Sequence, residues 1–346
     1  MAERLLEVDG LEVSFATEDG LVRAVDGVSF TLDRGEVLAI VGESGSGKSV
    51  TAMTLLGLTR SPNSRFGGAA RLHGLDLVSA SESQLQKVRG KEIAMIFQDP
   101  ISSLSPVHRI GDQIVEQIRA HEKVSKAAAL DRAVDLMERV GIPRARDRAR
   151  AYPHQFSGGM RQRVMIAIAL SLSPAVLIAD EPTTALDVTI QAQILQEVGQ
   201  LSREANSGVI FVTHDLGVVA DIADRVAVMY GGRMVEQGTL DEIFYDPQHP
   251  YTWGLLGSVT RMDREPPHRL PAIPGQPPSL VNAPSGCHFR PRCPHAFEKC
   301  TEVPPLAAHL TEAAGHLDRC WLEVDDKRSR REVEGRIGLG TGSVAA

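Results

Sequence analysis

The segment Gly42–Ser49 has the residue types and spacing of a loop that binds phosphate. It fits the pattern Gly-x-x-x-x-Gly-Lys-Ser/Thr in full. Glycines let backbone N–H groups turn inward around phosphate oxygens, and the N-terminus of a following helix favours an anion. Lys48 is expected to reach the β- and γ-phosphates, and the Ser49 hydroxyl to bind Mg²⁺. A plain glycine turn before a helix is the weaker interpretation. The predicted nucleotide-binding residues of this glycine loop are Gly42, Glu43, Ser44, Gly45, Ser46, Gly47, Lys48 and Ser49.

Two adjacent acids, Asp180 and Glu181, follow the apolar run Val176–Ala179. In nucleotide-hydrolysing enzymes with such a loop, an aspartate at a strand end holds Mg²⁺ directly or through water. A neighbouring carboxylate can polarise the attacking water as a general base. Taken alone, the pair could be a solvated strand end. Downstream of the glycine loop, it predicts that Asp180 binds Mg²⁺ and that Glu181 is catalytic.

A second glycine-containing segment, Phe156–Met160, points to a family. Its Ser157, Gly158 and Gly159 begin a predicted helix shortly before the Asp180 strand, and here the chain resembles the ATP-binding cassette (ABC) family. The family signature is usually written Leu-Ser-Gly-Gly-Gln, so that Phe and Met replace its first and last residues. The resemblance implies that this segment caps the γ-phosphate held by the glycine loop of an opposite subunit. ATP would thus be sandwiched between two subunits, and its hydrolysis would let them separate.

The resemblance extends over about residues 5–245 and assigns roles to further positions. Gln98 matches the glutamine that contacts Mg²⁺ and senses the membrane partner, and Asp187 belongs to the Ala185–Asp187 match of the D-loop. His214 matches the switch histidine that contacts the γ-phosphate and is the second predicted catalytic residue. Phe15 lies near the position of the aromatic residue that stacks on adenine; a phenylalanine of the strand core is the alternative.

The region after residue 245 narrows the resemblance. The segment from Tyr245 to Thr252, the proline-rich stretch after it, and the segment Asp99–Pro106 are similar to those of ATPases from bacterial dipeptide and oligopeptide importers, in particular their D-type subunit. Such a subunit would sit on the cytoplasmic face of the membrane. The implied partners are a second ATPase subunit, in a heterodimer or alternatively a homodimer, two membrane permeases and an extracytoplasmic peptide-binding protein. Related importers carry nickel, glutathione or sugars, so the cargo stays open.

All four cysteines lie in this C-terminal region. Four thiolates can complete a zinc site or hold an iron–sulfur cluster, although the spacing contains no Cys-x-x-Cys pair. The resemblance to importer ATPases implies a [4Fe–4S] cluster, with Zn²⁺ or unliganded or disulfide-bonded thiols as alternatives. The predicted ligands are Cys287, Cys293, Cys300 and Cys320. The nearby histidines are expected at the surface; they are His288, His295, His309 and His316.

Strands must alternate with helices to position these residues. The runs Val37–Val41, Val176–Ala179 and 209–213 suit strands covered on both faces, and helical spacings dominate 107–150. The predicted class is α/β, and the resemblance specifies an ABC-type P-loop NTPase with a RecA-like parallel sheet, an N-terminal antiparallel subdomain and an α-helical insertion at about 100–170. The predicted domains are 5–245 for the ATPase, 246–325 for an irregular extension with the cysteines, and 326–346 for a flexible tail.

Composition argues against other classes of protein. The chain has 346 residues, a net charge of −7 and 42% hydrophobic residues, as in an ordinary globular protein without the basic surface of a nucleic-acid binder. No membrane-spanning run or signal peptide is expected. A non-transport ABC ATPase acting on nucleic acid or ribosomes is the remote alternative.

Overall fold

The fold is described for most of the chain. The computed structural model describes residues 3–182, 191, 199–200, 202, 204–258, 273–308 and 315–333. The strands are β1 (Arg4–Thr17), β2 (Gly20–Asp33), β3 (Val37–Val41), β4 (Ser64–Leu72), β5 (Leu75–Asp76), β6 (Ile93–Ile96), β7 (Val176–Asp180), β8 (Gly208–Thr213), β9 (Arg225–Tyr230), β10 (Arg233–Thr239), β11 (Ala307–Ala308) and β12 (Leu317–Asp318). The helices are α1 (Lys48–Leu55), α2 (Glu82–Val88), α3 (Pro100–Ser103), α4 (Ile110–His121), α5 (Lys126–Arg139), α6 (Ala145–Arg148), α7 (Gly158–Leu170), α8 (Leu216–Ile222), α9 (Leu240–Tyr245), α10 (Pro250–Gly257) and α11 (Val324–Val333).

An eight-stranded sheet forms the centre of the molecule, in the order β11-β12-β10-β9-β3-β8-β7-β6. The strands from β9 to β6 are parallel, and β10, β12 and β11 add antiparallel pairs at one side. The central strands are continuous apolar runs because both faces are covered. Every residue of β7 and β8 is buried. The parallel α/β sheet predicted from the sequence is confirmed.

A smaller antiparallel sheet, in the order β2-β1-β4-β5, is formed by the N-terminal region. Its apolar face packs on the large sheet through one shared core, which includes Leu11 of β1, Phe30 of β2 and Ile40 of β3. On the other face of the sheet, α7 packs against β6, while α3, α4 and α5 pack against α7 and α6 packs against α5. In α5, Ser125 caps the helix by accepting the N–H of Ala128, and buried apolar residues recur along one side.

The C-terminal extension contains regular elements that its prolines did not predict. Pro250 occupies the first turn of α10, where its missing N–H costs nothing. Helix α11 begins before residue 326, where the sequence predicted a tail, and the buried Lys327 pairs with Asp318 of β12 at 2.8 Å. Residues 334–346 lie outside the described part of the chain. Across the described ranges, every helix is too short or too polar to cross a membrane.

Candidate nucleotide-binding site

The glycine loop connects β3 to α1 in a conformation that requires glycine. Gly42 and Gly47 have φ angles of 152° and 102°, which L side chains rarely adopt. A Cβ atom at Gly42 would lie 2.1 Å from the backbone oxygen of Met229, and one at Gly47 would lie 2.3 Å from that of Ala24. The loop therefore packs directly against the backbone of β9 on one side and of β2 on the other.

Lys48 is buried in the first turn of α1. Its Nζ donates to the carbonyl oxygens of Gly42, at 2.7 Å, and Glu43, at 3.0 Å. Burial lowers the pKa of Lys48, while the nearby carboxylates of Glu181 and Asp180 oppose that shift. The ammonium group thus lies inside the loop, where it has backbone acceptors and little exposure to solvent.

The functional residues from distant parts of the sequence meet at one edge of the sheet. Strands β3, β8, β7 and β6 are parallel neighbours, so their carboxyl ends share that edge. The glycine loop, His214, Glu181 and Gln98 follow these four strands and line one cavity of about 1030 Å³. Glu181 is central to this group. It accepts a hydrogen bond from Gln98 Nε2 at 3.0 Å, and its other oxygen lies 3.1 Å from His214 Nδ1.

Asp180 is not a lining residue of the cavity but contacts Ser49, which is one. The Ser49 hydroxyl donates to Asp180 Oδ1 at 3.0 Å. Burial raises the pKa of Asp180, and repulsion from Glu181 adds to the shift, although Ser49 and Lys48 act in the opposite direction. A carboxylate, a hydroxyl and the Gln98 amide are hard oxygen donors, and Mg²⁺ prefers such ligands together with substrate phosphates. The donor set fits that ion.

Of the remaining residues of the predicted nucleotide site, one lines the cavity, three lie outside its lining, and one is not described by the structure. Phe15 of β1 lines the cavity and is paired with Val22 of β2, which also lines it. Ser157 caps α7 by accepting the N–H of Met160 at 3.3 Å, and together with Gly158 and Gly159 it lies outside the lining of this cavity. Asp187 lies outside the described residues.

Sequence reasoning missed a set of cavity residues that come from the C-terminal extension. Arg292 forms a two-pronged ion pair with Glu43 of the glycine loop, and the Tyr251 hydroxyl accepts the Glu43 N–H at 2.8 Å. Tyr251 lies in a segment that carries the family resemblance and Arg292 precedes a cysteine, but neither signal indicated a contact with the glycine loop. The other extension residues that line the cavity are Leu255, Ser258, Ile273, Gly275, Pro277 and Leu280.

The four cysteines line a second, much smaller cavity of about 10 Å³, and no disulfide joins them. Burial raises the pKa of Cys287, and it raises that of Cys320 to about 12. The predicted metal centre is not confirmed, because in the described part of the chain no three His, Cys, Asp or Glu side chains are grouped as metal ligands. A cavity of this size admits about one water-sized atom. A four-iron cluster would therefore need the thiols to move apart.

The expectation of surface histidines was wrong at two positions. His288 and His316 are buried. The His288 Nδ1 lies 2.7 Å from the Gly231 backbone oxygen, and His316 Nε2 lies 2.8 Å from the buried carboxylate of Glu236. These partners are more than 50 residues away in sequence, so local spacing gave no indication of them. His309 lies outside the described residues.

Comparisons with known proteins agree with this geometry. Residues 25–184 match the ABC transporter family, and residues 235–300 match the family described as oligopeptide/dipeptide transporter, C-terminal region. The chain is 54% identical to the oligopeptide transport ATP-binding protein OppD of Bacillus subtilis (strain 168), over 92% of this chain and 89% of that protein. It is 52% identical to the dipeptide transport ATP-binding protein DppD of Lactococcus lactis, over 92% and 91% of the two chains.

Solved structures show the same fold. The dimeric ATP-binding cassette MJ0796, in a post-hydrolysis state bound to ADP and Pi, is 25% identical with a TM-score of 0.61, covering 68% of this chain and 98% of that one. The cbiO1 protein of Clostridium perfringens is 28% identical with a TM-score of 0.59, covering 70% and 92%. The predicted ABC-type fold is therefore confirmed. Together with the match over nearly the whole length of its relatives, this shows that the chain belongs to the ABC transporter family, among the ATP-binding proteins that carry the oligopeptide/dipeptide transporter C-terminal region.

Proposed function

We propose that this protein is the ATP-hydrolysing subunit of an importer of dipeptides or oligopeptides. The observation that carries the proposal is the convergence of the glycine loop, Gln98, Glu181 and His214 on one cavity, in a chain whose relatives are named for oligopeptide and dipeptide transport. Nickel or glutathione import by the same machinery is the alternative for the cargo.

The residues of the cavity would have different roles in ATP binding and hydrolysis. The glycine loop and Lys48 would hold the triphosphate, and Phe15 would stack on the base. Ser49, Gln98 and Asp180 would hold Mg²⁺, which when bound neutralises charge on the β- and γ-phosphates. Glu181 accepts a proton from the attacking water as that water's oxygen bonds to the γ-phosphorus, and the bond to the β-phosphate oxygen breaks to release ADP.

The signature residues Ser157, Gly158 and Gly159 do not line the cavity of their own chain. We propose that they, with Asp187, face the nucleotide of a second ATPase subunit, so that ATP joins two subunits and hydrolysis lets them part. A related subunit would make this a heterodimer, and two membrane permeases with an extracytoplasmic binding protein would complete the complex. The chain would then sit on the cytoplasmic face of the membrane through the permeases.

The test is transport by the reconstituted complex. The chain is co-purified with the proposed second ATPase, permease and binding-protein subunits, and the complex is placed in proteoliposomes. Uptake of a labelled tripeptide, Ni²⁺ and glutathione is measured with and without ATP. ATP-dependent accumulation of the peptide is expected. Accumulation of Ni²⁺ or glutathione without peptide would refute the proposed cargo, and an absence of ATP hydrolysis would refute the enzyme assignment.

For the cysteines, we propose a metal centre held by Cys287, Cys293, Cys300 and Cys320. The four thiols lie around one small cavity and are not joined by a disulfide, and the resemblance to importer ATPases favours [4Fe–4S] over Zn²⁺. The thiols would have to move apart to hold such a cluster. Anaerobically purified chain should be brown, with about four irons and matching sulfide, and Cys320→Ser should lower that content. Stoichiometric zinc without iron would reverse the choice of metal; neither metal would refute the centre.

A further inference from the structure

A partly buried ion pair joins the C-terminal extension to the glycine loop. Arg292 Nη1 donates to one carboxylate oxygen of Glu43 at 2.6 Å, and Nη2 donates to the other at 3.0 Å. The Arg292 side chain is only 5% exposed, against 26% for Glu43. Two parallel charge-assisted hydrogen bonds of this kind fix the relative position and orientation of both groups.

The extension holds the Arg292 guanidinium in place for this contact. The Nε donates to the Pro274 backbone oxygen at 2.9 Å, and Nη2 also donates to that of Ile273 at 3.1 Å. The Nη1 makes a further bond to the Tyr230 hydroxyl at 3.2 Å. All five N–H donors of the guanidinium therefore have acceptors. A lysine could not reproduce this planar arrangement.

The other side of Glu43 belongs to the phosphate-binding part of the loop. Its carbonyl oxygen accepts from Lys48 Nζ at 3.0 Å, and its N–H donates to the Tyr251 hydroxyl at 2.8 Å. Glu43 is thus held by the extension through both its side chain and its backbone, directly beside the lysine that meets the triphosphate. Loops held in this way lose little conformational freedom when a ligand binds.

We propose that Arg292 is a positioning residue of the nucleotide site: by holding Glu43, it fixes the glycine loop so that Lys48 and the loop N–H groups meet the triphosphate. The extension is in this respect part of the ATP site rather than an appendage to it. The inference rests on the proposed function. A role confined to stability would instead lower the melting temperature and leave the affinity of the folded protein for ATP unchanged.

The test is a double-mutant cycle in the full-length chain within its complex. ATP dissociation constants, KM and kcat are measured for wild type, Arg292→Gln, Glu43→Gln and the double variant. Arg292→Gln should raise the ATP dissociation constant and KM about tenfold, with kcat at saturating ATP changed by less than about threefold. The double variant should be no weaker than the weaker single variant, because the two side chains act through one interaction.

Arg328→Gln is the matched control, because it also removes an arginine–carboxylate pair of the extension, with Asp246, but has no contact with the glycine loop. It should bind ATP like wild type. ATP affinity of Arg292→Gln within about twofold of wild type, or additive effects in the cycle, would overturn the inference. A wild-type complex that fails to bind ATP would instead refute the proposed function.

Two milder variants cover the case in which Arg292→Gln does not fold. Arg292→Lys keeps the charge without the planar fork, and Tyr251→Phe removes the hydroxyl that accepts the Glu43 N–H. Both should weaken ATP binding. Arg292→Lys should weaken it less than Arg292→Gln does, because lysine keeps the positive charge beside Glu43. Wild-type ATP affinity in both variants would overturn the inference.

Discussion

Replacing Glu181 with glutamine removes the proposed general base while keeping the shape of the site. Glutamine has the same size, and its amide oxygen can still accept from Gln98 Nε2 while its NH₂ group donates to His214 Nδ1, in place of the present contacts at 3.0 and 3.1 Å. Only the charge and the ability to take a proton are lost. General base catalysis contributes about 10²–10⁴-fold, so we expect turnover to fall by that factor, or about 3–5 kcal/mol of barrier.

The affinity for ATP should stay the same or increase, because the variant removes a negative charge beside the phosphates. Phosphate release is measured in steady state and in single turnovers, which separate the chemical step from product release, and ATP binding is measured by calorimetry. Glu204→Gln is the control: this exposed carboxylate pairs with Arg139 away from the cavity, and such pairs contribute little. Single-turnover hydrolysis by Glu181→Gln within about tenfold of wild type, with ATP bound normally, would show that another group is the base.

Two further outcomes follow from the buried charges. Lys48→Ala should weaken ATP binding about 10–100-fold, since it removes a charge-assisted donor; unchanged affinity by calorimetry would contradict the assigned role. Burial lowers the pKa of His316, but the hydrogen bond to Glu236 and the negative charge of that carboxylate act against burial. The net result is a pKa above the ordinary 6.5. The stabilisation from protonated His316 is therefore complete below pH 6.5 and is lost as pH rises through the folded-state pKa. The difference in unfolding free energy between wild type and His316→Gln should shrink over that rise in denaturant titrations; a constant or growing difference would contradict the assignment.

Glu181 could be predicted from the apolar run that it follows, whereas Gln98 and His214 were assigned through the resemblance to the ABC family. The structure shows why the three meet: each follows a strand of the parallel sheet, and parallel strands place their carboxyl ends at one edge. The glycine loop is continuous in sequence, so its chemistry is visible in the residue types themselves. The structure was needed to establish the register of the strands and the distances between side chains, such as the 3.0 Å from Gln98 Nε2 to the Glu181 carboxylate.

The spacing of residues along the sequence could not predict contacts between distant segments. Arg292 meets Glu43 across 249 positions, and no periodic pattern links them. The burial of His316 depends on a carboxylate of β10, 80 positions away. Proline content also misled the prediction at α10, because a proline in the first helical turn replaces an N–H that has no partner in any case.

One shared core crosses the predicted boundary near residue 245. Tyr251 and Phe289 of the extension pack on Tyr230 of β9, with ring centroids 4.5 and 5.2 Å away, in the same cluster as Val41, the last residue before the glycine loop. Buried aromatic rings dominate the energetics of such clusters, so the extension contributes a large part of the core behind the loop. The Tyr230 hydroxyl also contacts Arg292. The same strand end therefore supports both the apolar core and the ion pair, and a change that displaces the extension alters the setting of the glycine loop even when every residue of that loop is intact.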